Sequence, residues 1–534
     1  MTMPPRERDS PLPPEAEILG RLMLAFRGTA LPDWLRERLA TAPAAGFTLF
    51  RHLNVRSPAQ VRRLTAELRN AAGRPLLIAA DQEGGQLLAL GAGWTPFAGP
   101  MAIGATRDAD LAERVGRATG LELRAVGVNV CYAPVLDVVA GPTNPALGIR
   151  SFGDDPDQVA RLGAAWLRGL QSAGVAATLK HFPGKGAADV DTHHALAVVE
   201  RGREAFDATE LRPFRVGIAA GARMVMSGHF AVPALTGSSR LPATLSRAVM
   251  TDLLRDELGF EGASITDALD MKALPQDATQ AVDVLAAIAA GVDLLLATSK
   301  RDSQRRIESA LRRAAEVELF EPRALEASTR RIADLHAWLA TFPDPPLEIV
   351  GCAEHRALAG ELASRALTLV RDDGLLPLRL EPGSRVLSIM PAPRDLTPAD
   401  TSSFVTAGLA AALRAHHRDV DELVTSHPPT TAEIAAARDR AAAADVVVIG
   451  TISVAPGSPQ AALVETVRST GRPLVTVALR TPWDLLAYPE VGTNVATYSI
   501  LPESMAALAD ALFEGPAAFP GQLPVELPLA VAAR

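Results

Sequence analysis

Between residues 18 and 316 the chain alternates between short apolar runs and longer segments with helical periodicity, and this rhythm restricts the fold more than any other feature. An apolar stretch at 18–26 is followed by runs at 46–53 (GFTLFRHL), 75–80 (PLLIAA), 127–135, 174–179, 223–226, 262–265 and 291–296. Helical segments are read at 31–39, 57–70, 109–126, 156–172, 205–220, 247–258 and 304–316, with Ser57 as an N-cap and Pro58 just inside it. Runs without polar alternation are buried on both faces, the signature of parallel strands in βα units. Seven or eight such units predict a TIM-type (β/α)8 barrel. An open sheet should carry one dominant glycine-rich loop after its first strand. Here polar clusters follow many runs, at 81–85, 144–150, 180–194, 227–229 and 266–271. In a barrel all of them converge on the C-terminal rim, where barrels do chemistry, so an enzyme is expected.

A helix at 327–341 is stopped by FPDPP at 342–346. Beyond it, a helix at 355–369 leads into apolar strands at 385–390, 446–451, 474–478 and 494–498. Helices at 403–415, 431–443, 461–469 and 505–513 fall between or after them. The chain therefore divides into an N-terminal arm at 1–13, a barrel at 14–341, a linker at 342–354 and a C-terminal α/β sandwich domain at 355–534. Its 534 residues exceed what one core usually supports. A net charge of -8 and an aromatic fraction of 4% argue against a nucleic-acid surface. With only two cysteines, no apolar leader at the N-terminus and no run of 18 apolar residues, a cytoplasmic protein without a membrane span is expected.

The candidate chemistry lies in the polar clusters. In KHFPGKGAADVDTHH at 180–194, Asp191 and His193 stand two apart, so the carboxylate can orient the imidazole as an acid/base pair. Asp267 leaves a buried strand and is either a rigidly aimed nucleophile or a helix cap on the segment after it. Asp81 occupies the analogous place after PLLIAA, with Glu83 two residues on. A carboxylate there suits sugar hydroxyls, or else faces water from a glycine-bearing turn. Arg150, Lys180, His181 and His229 add a cationic and hydrogen-bonding lining, although a lone histidine such as His229 is more often a packed or structural one. Asp137 reads as a rim support and Asp270 as solvent-facing or capping. No metal or cofactor is called for: the chain lacks HExxH, its cysteines are far apart, and Gly184–Gly186 falls short of a phosphate loop.

The ordered motifs DQEGG, NPALGIRSFGDDP at 144–156, KHFPGKG followed by Asp-Thr-His, and ITDALDM resemble glycoside hydrolase family 3, in its β-N-acetylglucosaminidase branch. RTPWDL at 480–485, ATYS at 496–499 and GQLPVELP at 521–528 extend the resemblance into the second domain. It implies a retaining, exo-acting hydrolase with Asp267 as nucleophile and His193, oriented by Asp191, as acid/base. Asp81, Arg150, Lys180 and His181 would hold the N-acetyl sugar. The implied substrate is a small glycoside such as a muropeptide or chitooligosaccharide. Phosphate is an alternative acceptor, because a neutral histidine repels an anion less than a carboxylate does. β-Glucosidase activity and a non-catalytic glycan-binding barrel are the rival readings, and monomer and homodimer both stay open.

Four positions depart from the family pattern. Lys185 replaces a common histidine, Gln86 the arginine after DQEGG, Ala268 a second acid, and Ala197 a proline. They bear on substrate preference more than on the reaction, because Asp267, Asp191 and His193 are retained.

Overall fold

The computed structural model describes residues 14–142, 147–188 and 195–528. Eight strands form one parallel sheet: β1 (Leu22–Leu24), β2 (Gly46–Leu49), β3 (Leu77–Ala80), β4 (Val130–Cys131), β5 (Ala176–Phe182), β6 (Met224–Ser227), β7 (Ala263–Thr266) and β8 (Leu295–Leu296). Each pairs with the next in chain order from β1 to β7, and β8 returns to β1 with Leu295 opposite Leu22. An Ile265–Leu294 bridge links β7 to the entry of β8, with Thr266 N–H donating to Leu294 O at 3.0 Å. The alternation in the sequence therefore does produce a TIM-type barrel.

Its strands are buried on both faces. Met23, Leu77, Ala79, Val130, Ala176, Met224, Ala263 and Ile265 belong to one apolar cluster, and each large side chain so buried contributes roughly 1.5–3 kcal/mol. The sheet also dictates where side chains cannot go. Gly46 pairs with Leu77, and a Cβ at this position would run into the Leu77 carbonyl. On the outside, the helix Pro58–Ala72 starts as its sequence implies, the Ser57 hydroxyl accepting the Gln60 N–H at 3.3 Å, and ends at Gly73 with φ 60°.

The chain forms two compact units. One comprises the chain up to Asp81 with Gly120–Pro134 and Leu170–Val350, and it contains the eight barrel strands. The other comprises Gln82–Thr119, Val135–Gly169 and the chain from Gly351. Its centre is a six-stranded sheet of β9 (Thr368–Arg371), β10 (Val386–Pro391), β11 (Val420–Thr425), β12 (Val446–Thr451), β13 (Leu474–Ala478) and β14 (Thr493–Ala496). The spatial order is β9-β14-β13-β12-β10-β11, all parallel except β9. Two of these strands differ from expectation. The helix expected through 369 ends at Ala366, and Thr368–Arg371 becomes the antiparallel edge strand. The opposite edge, Val420–Thr425, carries Asp421 and Glu422, charges that suit an edge exposed to water. The expected helix at 403–415 is shorter, Leu409–Arg414.

Candidate active site at the strand ends of the barrel

Asp81 follows β3, Tyr132 follows β4, Lys180 and His181 lie near the end of β5, Ser227 ends β6, and Asp267 follows β7. These are the C-terminal ends of parallel strands, so the expected convergence of Asp81, Lys180, His181 and Asp267 is met within the barrel unit. Lys180 Nζ donates to Asp81 Oδ1 at 2.6 Å, and His181 Nε2 lies 4.0 Å from Asp267 Oδ2. In both pairs the base is nearly enclosed, at 2% and 4% exposure, whereas the carboxylates keep 22% and 16%. The open face of each pair is thus its carboxylate, with a lysine donor behind Asp81 and an imidazole near Asp267.

Consecutive residues of a regular strand point to opposite faces, yet Lys180 and His181 each reach a carboxylate. The register explains how: Leu179 pairs with Val225 but Phe182 with Ser227, leaving one extra residue in β5. Such a bulge re-aims side chains next to functional sites. Asp267 is aimed by its backbone, its N–H donating to Ser227 O at 2.9 Å and its Oδ1 accepting the Ala268 N–H at 2.8 Å. It caps no helix, and the residue after it supplies the amide that orients the carboxylate.

His229 is wholly buried, its Nδ1 2.9 Å from the Thr244 hydroxyl, which also meets Ser227 Oγ at 3.0 Å. Burial pushes its pKa down, opposed by the Asp267 charge and by the backbone of Asp267 and Ala268, while Lys185 adds to the lowering. The imidazole is therefore neutral near pH 7 and packs as a support beside Asp267. Tyr132 is equally buried, its hydroxyl 3.0 Å from Thr48 Oγ1. Burial raises its pKa, and the charges of Asp81 and Asp267 raise it further, so it stays a neutral phenol between the two acids. Lys185, the departure in the KHFPGKG motif, is 3% exposed, and Gly184 before it lies against Glu210, where a Cβ would meet that side chain.

Arg150 and Glu83 belong to the second unit. Their side chains form a two-pronged ion pair, Nε to Oε2 and Nη2 to Oε1, both at 2.8 Å, and both are buried. Gln86, the second departure, donates from Nε2 to Ala399 O at 3.1 Å, and its own carbonyl accepts from the Thr401 N–H at 2.8 Å. It does the work of a tether. Asp137 is also fully buried, and its carbonyl accepts the Ser151 hydroxyl at 2.7 Å. Asp270 faces Lys300 at 3.7 Å. Asp191 and His193 lie outside the described residues.

Tyr132 and Thr244 carry no site signal in the sequence. Glu83 alone left a signal, an acid in the same glycine-bearing turn as Asp81.

A closed parallel barrel with carboxylates backed by basic side chains at its strand ends defines a barrel enzyme of the polar-substrate type. The N-terminal domain model of glycosyl hydrolase family 3 matches residues 23–335, and the chain belongs to that family. It is 38% identical over 385 residues to β-hexosaminidase A of Pseudoalteromonas piscicida, covering 66% of this chain and 63% of that protein. It thus spans under two thirds of that relative's length. It is 30% identical over 545 residues to a β-N-acetylglucosaminidase/β-glucosidase of Cellulomonas fimi, covering 96% and 93%. A family 3 β-N-acetylglucosaminidase structure from Paenibacillus sp. superposes with a TM-score of 0.90 at 34% identity, covering 97% of this chain and 99% of that one.

Proposed function

We propose that this chain is a retaining, exo-acting β-N-acetylglucosaminidase that removes terminal N-acetylglucosamine from muropeptides or chitooligosaccharides in the cytoplasm. The observation that carries this reading is Asp267, a partly open carboxylate held by the Ala268 amide at a strand end, with His181 Nε2 4.0 Å away. Asp267 attacks the anomeric carbon as the glycosidic C–O bond breaks, and His193, oriented by Asp191, gives its proton to the departing oxygen. A water molecule then gives a proton back to His193 and attacks the same carbon, releasing Asp267 with the original configuration restored. Asp81 accepts sugar hydroxyls while Lys180 fixes its rotamer. His181 donates to the sugar or to Asp267, and His229 supports Asp267 from behind. Arg150 is assigned to the sugar from its motif, with Glu83 fixing its plane.

The similar proteins are a β-hexosaminidase and two β-N-acetylglucosaminidases, which supports a hexosaminide substrate, and the Cellulomonas fimi relative is named for glucosides as well. Comparing a chromogenic N-acetylglucosaminide with the matching glucoside tests the preference. Much faster cleavage of the former is expected, and the reverse order contradicts the assignment. Phosphate as acceptor is the second reading, favoured by the buried cation of Lys185 and by a histidine in place of a charged acid/base. Sugar 1-phosphate formed in phosphate buffer, and its absence elsewhere, would establish it.

A further inference from the structure

Thr244 sits in the short turn Ala243–Leu245, pinned by an antiparallel Ala231–Pro242 bridge, and its side chain is wholly buried. Its one hydroxyl meets three groups of the segment that ends β6: Ser227 Oγ at 3.0 Å, Gly228 O at 3.0 Å and His229 Nδ1 at 2.9 Å. That segment ties the end of β5 to the residue after β7. The Gly228 N–H donates to Phe182 O at 2.9 Å, and Ser227 O accepts the Asp267 N–H at 2.9 Å. A Cβ at Gly228 would run into the Phe230 ring and come within 3.2 Å of the His181 Cβ, so the segment lies against His181 as well.

A hydroxyl carries a single proton, and the Thr244 proton has two acceptors in reach, Gly228 O and His229 Nδ1. The far side of the imidazole decides between them. Burial, with the Lys185 charge adding to it, keeps the ring neutral, so it carries one proton. The Asp267 charge and the backbone of Asp267 and Ala268 attract a proton on the ring. Thr244 occupies Nδ1, so that attraction acts at Nε2, which is buried and has no hydrogen-bond partner among the described residues. A bare Nε2 lone pair facing those groups would be repelled, whereas an Nε2–H is held by them. Nδ1 is then the acceptor and takes the Thr244 proton, with Gly228 O as the lesser partner of a three-centre bond. On the reading of Asp267 as nucleophile, we infer that Thr244 is a positioning residue for it. Through Nδ1 it fixes the His229 tautomer whose Nε2–H faces the Asp267–Ala268 backbone, and so holds the carboxylate's aim.

Thr244→Val removes the hydroxyl at nearly constant shape, Thr244→Ser restores it, and His229→Gln keeps a donor near Nε2 while offering nothing to Thr244. With an aryl N-acetylglucosaminide, Thr244→Val should lower kcat at least about tenfold and leave KM within about twofold, because a misaimed carboxylate slows the chemical step rather than binding. Thr244→Ser should recover kcat to within about threefold of wild type. In the His229→Gln background, Thr244→Val should change kcat by less than about twofold, since residues acting in one chain are not additive. Wild-type kcat in Thr244→Val, a loss confined to KM, or a full tenfold loss in the His229→Gln background overturns the proposal. NMR of the full chain labelled with nitrogen-15 histidine, near neutral pH, reads the tautomer without turnover; the His229 signals are those missing from His229→Gln. A protonated Nε2 beside an unprotonated Nδ1 is expected, and the opposite tautomer or a doubly protonated ring overturns the proposal. A chain that left hexosaminides uncleaved would contradict the proposed activity and leave this tautomer measurable, so the two readings fail separately.

Discussion

Lys180 Nζ lies 2.6 Å from Oδ1 of Asp81, joining two strand ends 99 positions apart, with the lysine enclosed and the carboxylate facing outward. The cation fixes the acid's rotamer while the carboxylate keeps part of its surface open. Lys180→Met should therefore act on binding first. We expect KM for an aryl N-acetylglucosaminide to rise and kcat/KM to fall on the order of 100-fold, about 2.7 kcal/mol in transition-state terms. Unchanged kinetics would remove Asp81 from the sugar pocket.

Glu83 and Arg150 form the corresponding pair in the second unit, and neither is accessible to water in a way that could replace its partner. Breaking a buried pair from one side costs about 3–5 kcal/mol. Glu83→Gln should lower the urea midpoint measurably. Arg150→Lys should be almost as harmful, because an ammonium cannot span both carboxylate oxygens.

Asp293, fully buried before β8, accepts from Arg331 Nη2 at 2.7 Å, from Arg255 Nη2 at 2.8 Å and from the Ser264 N–H at 2.8 Å. Burial alone would raise its pKa, but Arg255 and Arg331 together reverse the sign and hold it below the usual carboxylate value. A carboxyl with a depressed folded pKa stabilises the native state above the unfolded value, near ~3.9, and loses that contribution as pH falls towards the folded one. Asp293→Asn should lower stability at pH 7 and flatten the acid limb of stability below about pH 4. Urea titrations across that window measure both effects.

Gly46 leaves no room for a side chain against the Leu77 carbonyl. Gly46→Ala must push β2 from β3 and should cost ~3 kcal/mol, the upper range for overpacked cores. Thermal unfolding of the variant measures it: that loss should lower the melting temperature by roughly 3–5 °C in a protein of this size, and a value within about 1 °C of wild type would mean that the strands part without strain.

These strands explain how much the sequence discloses. Apolar runs such as PLLIAA and VVVIGT mark central parallel strands because both faces are buried, and Val446–Thr451 and Leu474–Ala478 fall where expected. The edge strands Val420–Thr425 and Thr368–Arg371 escape, since half-exposed residues carry no such pattern and the second continues directly from a helix. Asp81, Lys180, His181 and Asp267 are legible because barrels place chemistry just after strands. The partner of Arg150 is not legible, because Glu83 is 67 residues away and only the fold brings them together. Nor does any local pattern announce the extra residue in β5 that lets Lys180 and His181 each find a carboxylate.

Chemical rescue tests most directly whether Asp267 bonds to the sugar. With Asp267→Ala and an activated aryl N-acetylglucosaminide, release of the aryl group should fall by at least ~10³-fold. Added azide should restore it by entering the vacated side of the ring, giving the α-glycosyl azide by proton NMR. Wild-type rates in the variant, or azide rescue yielding the β-anomer, would contradict Asp267 as the nucleophile.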